Sequence, residues 1–206
     1  SFNYYLDYYN SKAAGWELLA WLKARTIAGN KATGKQLIDK IHKIALLPEN
    51  QKKIFDDIIK MRKEITKKLL RENIIDEEVK LGPGGIRSIE FIVQYYQILN
   101  GSKYRILLNG NTLFALFQLR HYKILSDDDY NTLKNAYIFL RTIEHRIQMF
   151  ALQQKHILPE DKTELIKLAR RIGFIDRLEQ TAYQQFIEEY QKQTDIVNQM
   201  FAKIFN

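Results

Sequence analysis

The chain has 206 residues, enough for one domain with a sizeable core, and 46% of them are apolar, which excludes a disordered composition. It contains no cysteine, so disulfides and thiolate zinc sites are ruled out. Its 32 lysines and arginines against 24 acids leave a net charge of +8, which favours an anionic partner.

The longest uncharged stretch, Ile106 to Leu119, is interrupted by Asn109, Gly110 and Asn111 and is too short to span a bilayer. Nothing at Ser1 resembles a signal peptide, and the chain reads as beginning inside a longer protein. The only prolines, Pro48, Pro83 and Pro159, fit element boundaries, and between them apolar residues recur at helical spacing. The expected fold is therefore an all-α bundle of about seven to eight helices of unequal length, forming one domain over residues 1–206.

In chain order, the first helix to carry a chemical pattern holds Trp16, Ala20 and Lys23 on one face, with Glu17, Trp21 and Ala24 on the adjacent one. Lys23 and Arg25 at its end complement the negative end of the helix dipole, or reach an anion across an interface. After Pro48, the residues Ile54, Ile58, Met61, Ile65 and Leu69 form an apolar stripe, and Lys52, Lys53, Lys60, Lys63, Lys67 and Lys68 form a solvated basic face.

The run Lys80 to Phe91, KLGPGGIRSIEF, places a glycine-rich turn at a helix start, with Arg87 and Glu90 one turn apart. Backbone amides at a helix N-terminus attract anions, and a neighbouring arginine adds to that attraction. The same glycines also allow close helix packing, and Arg87 with Glu90 also makes an ordinary intrahelical ion pair. Ile86, Ile89, Val93 and Tyr96 are the stripe of this helix.

Ser126 with Asp127, Asp128 and Asp129 caps the next long helix, whose stripe Leu133, Tyr137, Leu140, Glu144, Ile147 and Ala151 is interrupted by Glu144. A buried Glu144 paired with an arginine from another helix is the expected arrangement. Pro159, Glu160 and Asp161 open a further helix that Gly173 closes, and Phe186, Tyr190, Val197, Phe201 and Ile204 mark a long final one. The four histidines, His42, His121, His145 and His156, lack metal-ligand spacing, and Asp127 and Asp129 read as helix caps rather than magnesium ligands. No nucleophile–base arrangement is evident, and no RNA-binding aromatic signature or zinc-finger spacing accompanies the basic charge, which argues against nucleic acid.

Four stretches resemble the glutamine synthetase adenylyltransferase family, in the helical region that follows each nucleotidyltransferase domain. They are the Lys80–Phe91 run, residues 1–9, Trp16–Glu17 with Ala20 and Lys23–Ala24–Arg25, and residues 139–148 followed by His156 and Leu158–Pro159. The resemblance covers most of residues 1 to 160 and fades beyond.

It implies a helical companion domain of a cytoplasmic enzyme that transfers AMP from ATP to glutamine synthetase and removes it by phosphorolysis, more like the AMP-removing half. It further implies magnesium and ATP or AMP for the parent enzyme, an upstream nucleotidyltransferase domain that supplies the catalytic carboxylates, and a PII-type regulatory protein as partner. The chain alone is then expected to be inactive, with Lys23, Arg25, Lys80, Gly84, Gly85 and Arg87 near nucleotide phosphate and Glu17 and Glu90 orienting the basic groups. Leu18 stands where many members carry arginine, Ser88 where glutamate is usual, and Pro83 where arginine or alanine is frequent. Alternatives are a non-catalytic helical interaction module or part of a PII uridylyltransferase.

Overall fold

The computed structural model describes residues 2–151 and 156–205, with the side chains of Phe150 and Ala151 left out. Ser1 and the Ala151 side chain, both named above, therefore lie outside the described residues. Nine α-helices occur among the described residues: α1 (Phe2–Ser11), α2 (Gly15–Ala20), α3 (Lys31–Ala45), α4 (Pro48–Glu72), α5 (Ile86–Asn100), α6 (Thr112–His121), α7 (Asp127–Ala151), α8 (Lys162–Ile172) and α9 (Ala182–Phe205). Two short 3-10 turns, Trp21–Lys23 and Arg105–Leu107, complete the set, and the fold is all-α as the apolar spacing predicts. The one extended pairing among these residues is an isolated antiparallel bridge between Glu78 and Ile157.

The chain forms two compact units. Unit 1 comprises Ser1–Arg62 and Phe91–Tyr130, and unit 2 comprises Lys63–Glu90 and Asn131–Asn206. Unit 1 buries Leu18, Ile41, Ile54, Ile58, Ile92 and Leu116 completely. Unit 2 does the same with Val79, Ile89, Leu133, Leu140, Phe186 and Val197, and rings Phe139, Phe174 and Phe186 cluster there.

The sequence caps are present. The Ser126 hydroxyl accepts the Asp129 amide at 3.0 Å, and Asp161 accepts the Glu164 amide at 3.0 Å. Gly173 ends α8 in the left-handed region at φ 113°. The six lysines of the α4 basic face are all exposed.

The helix at Trp16 is shorter than its pattern implies. α2 stops at Ala20, the chain tightens into the 3-10 turn, and Ala24 is extended at ψ 142°. Lys23 therefore closes the 3-10 turn and Arg25 lies beyond it, outside any helix. The face shared by Trp16, Ala20 and Lys23 holds only as far as Ala20, because a 3-10 turn advances by three residues per turn rather than 3.6.

Candidate functional site

Lys23 and Arg25 line a cleft of about 690 Å³ in unit 1. One wall is the Trp21–Arg25 segment, and the loop Leu108–Asn111 forms another. The loop lies directly on that segment: a side chain at Gly110 would meet Lys23 Cα at 3.1 Å and Leu22 O at 3.3 Å. Buried Gln97 fixes the loop from beneath by donating to the carbonyls of Leu107 and Asn109, the latter at 2.8 Å.

The 3-10 segment is held by His42, whose Nε2 lies 3.0 Å from the Trp21 carbonyl and donates to it. Burial pushes the His42 pKa below its ordinary value, which keeps the ring neutral and leaves that donor in place. Arg105 also lines the cleft, 3.7 Å from Asp39. The loop ends at the N-terminus of α6, where Asn111 Oδ1 accepts the Phe114 amide at 2.9 Å. Sequence reading missed Arg105 and Asp39, because neither belongs to a motif and only the fold brings them to Lys23.

Glu17 has local partners. Its carboxylate accepts the Ala14 amide at 3.0 Å, holding the start of α2, and accepts the Tyr8 hydroxyl at 2.9 and 3.1 Å. That bond holds the Tyr8 pKa above its ordinary value.

Lys80, Gly84, Gly85, Arg87 and Glu90 lie in unit 2, on the turn entering α5 and on its first turns. The amides at this helix start already have acceptors. Gly85 donates to Gly82 O at 3.0 Å, Ile86 to Val79 O at 3.1 Å, Arg87 to Lys80 O at 2.9 Å and Ser88 to Gly85 O at 2.9 Å. Buried Glu78 accepts the amides of Lys80 and Leu81 at 3.1 and 3.3 Å. In this conformation the amides of Gly85 to Ser88 are engaged within the turn, so a phosphate contact through them would have to displace these acceptors.

The glycines have a packing role. Gly84 sits at φ 68°, and a Cβ there would run into the Thr194 carbonyl of α9, with the carbonyl carbon 2.6 Å away. A Cβ on Gly85 would lie 2.7 Å from Val79 O.

Arg87 Nη1 lies 3.1 Å from Glu90 Oε2, and Glu90 is buried, so this pair is more sheltered than the exposed one its spacing alone suggests. Lys80 Nζ lies 3.5 Å from Oε1 of Glu144, which is 1% exposed. Glu144 also pairs with Arg141 and with His156 Nδ1 at 3.1 Å. Its arginine is therefore on its own helix, contrary to expectation, and Lys80 and His156 are the partners from elsewhere. Ser88 is buried and its hydroxyl has no hydrogen-bond partner.

Asp127 pairs with Arg120, and Asp129 accepts the Ser126 hydroxyl at 2.8 Å. Among the described residues no three His, Asp or Glu side chains gather closely enough to hold a metal ion.

A sequence model of the family described as GlnD PII-uridylyltransferase matches residues 56–205. The chain belongs to that family. This uridylyltransferase-family chain is also 33% identical, over 98% of its length, to a bifunctional glutamine synthetase adenylyltransferase/adenylyl-removing enzyme of Streptomyces avermitilis. Proteins of the same description from Xanthobacter autotrophicus and Acinetobacter baylyi are 37% identical over 84% of the chain and 35% over 92%. The likeness thus runs through α8 and α9, beyond the limit near residue 160 expected from motifs alone. The chain spans 20% of the length of the Streptomyces relative and 18% of the Xanthobacter one.

Proposed function

We propose that residues 1–206 act as a helical companion domain of a nucleotidyltransferase that adenylylates and deadenylylates glutamine synthetase, closer to the AMP-removing half. The observation that carries this reading is the 33% identity over 98% of the chain to a relative described by both activities. In the parent enzyme, an upstream domain would supply the catalytic carboxylates that hold magnesium, which would neutralise charge on the nucleotide phosphates; the present chain contributes cationic side chains and a protein-docking surface. Its partners are that domain, glutamine synthetase and a PII-type protein, in the cytoplasm. Among the described residues no helix is long and apolar enough to cross a membrane.

Lys23, Arg25, Lys80 and Arg87 are the cationic side chains assigned to nucleotide phosphate in this reading, with Glu90, 3.1 Å from Arg87, orienting it. Arg87→Ala in the complete enzyme should lower AMP transfer or removal by about tenfold or more, with helical content unchanged. Unchanged turnover at both saturating and limiting nucleotide would refute the role of Arg87. The match of residues 56–205 to the uridylyltransferase family supports a second reading, in which the parent modifies a PII-type protein with UMP.

A further inference from the structure

The cleft of unit 1 has the composition of an anion site in its own right. Lys23, Arg25 and Arg105 bring three cations to it against the single carboxylate of Asp39. His42 adds no charge near neutral pH, because burial lowers its pKa. The volume of about 690 Å³ suits a small phosphorylated molecule. Leu22, Ile38 and Leu108 give it an apolar lining, and Asn111, the N-cap of α6, borders it. Both walls are fixed before any ligand arrives: Gln97 anchors the loop and His42 anchors the 3-10 turn. Arg105 and Asp39 stand 3.7 Å apart and half-exposed, too far for a hydrogen bond. The guanidinium can therefore exchange this loose partner for a bidentate phosphate contact.

We infer that this cleft binds a phosphate-bearing small molecule, with Arg105 as a principal ligand and Asp39 as a competing carboxylate that lowers its affinity. The inference shares Lys23 and Arg25 with the proposed function and extends that reading to Arg105 and Asp39. It requires no neighbouring domain.

The test is isothermal titration of the chain at low salt with orthophosphate, tripolyphosphate, ATP and adenosine, each variant first checked by far-UV circular dichroism. Tripolyphosphate and ATP should bind and adenosine should not. Arg105→Ala should weaken binding about tenfold, and Asp39→Asn should tighten it about threefold. Lys52→Ala, on the exposed face of α4, should leave it unchanged.

The Asp39→Asn arm matters most, because misfolding does not raise affinity. ATP binding well above tripolyphosphate identifies a nucleotide as the ligand, and equal binding identifies the phosphate chain; both support the site. Equal losses for Arg105→Ala and Lys52→Ala, or no gain for Asp39→Asn, would overturn it. Such a failure, with AMP transfer by the parent still dependent on Arg87, would retire the cleft and leave the proposed function standing.

Discussion

Replacing Gly84 with alanine tests whether the glycine turn before α5 is built for packing. Two costs add at this position. The backbone is at φ 68°, where an L side chain costs about 1–2 kcal/mol. The new Cβ would also meet main chain: the Thr194 carbonyl carbon at 2.6 Å and its Cα at 2.9 Å. No flexible side chain is there to yield, so α9 or the turn must move, at about 1–3 kcal/mol. Together these predict a loss of about 2–5 kcal/mol, read as a lower urea midpoint at unchanged slope. Gly173→Ala supplies the comparison within unit 2. It carries a positive φ of 113° but meets nothing within 4 Å, so only the dihedral cost of about 1–2 kcal/mol applies. If Gly84→Ala loses no more stability than Gly173→Ala, the close approach to α9 is not what requires glycine, and the packing account of the turn fails.

Glu144→Gln should cost about 2–3 kcal/mol in the same urea measurement, since it removes the carboxylate that Lys80, Arg141 and His156 share in a buried position. A loss below about 0.5 kcal/mol would mean the groups paired with Glu144 find water at little cost. The pKa of His42 is lower in the fold than in the unfolded chain, so the unfolded chain binds its proton first as pH falls. The stability linked to this ring should be complete above about pH 6.5 and decline below it, and His42→Gln should flatten that decline. An NMR titration placing His42 at or above the ordinary histidine value would contradict this.

The helices were legible in the sequence because burial repeats. Ile54, Ile58 and Leu69 on α4, Leu133, Leu140 and Ile147 on α7, and Phe186, Tyr190, Val197 and Phe201 on α9 are buried where their spacing places them. At the end of α9, Phe205 is buried, while the expected Ile204 is only half-buried. The change of pitch after Ala20 was not legible, since Trp21 to Arg25 contains no proline or glycine to mark it.

The Lys80–Phe91 run shows why a local motif leaves two readings open. Its composition suits anion binding and close packing equally, and the difference lies in where the amides point. Here Val79, Lys80, Gly82 and Gly85 carbonyls accept them, which depends on the path of a preceding loop that carries no periodic signal. The partners of Glu144 and the meeting of Arg105 with Lys23 are likewise tertiary facts: 64 residues separate Lys80 from Glu144, and 82 separate Lys23 from Arg105.

The most direct test of the proposed function is the intact mass of glutamine synthetase after incubation with the complete enzyme proposed to contain this chain. Incubation with magnesium and ATP should add AMP, and incubation of the adenylylated form with orthophosphate should remove it. An unmodified glutamine synthetase in both directions, with UMP transferred instead to a PII-type protein, would contradict the account and leave the uridylyltransferase reading in its place.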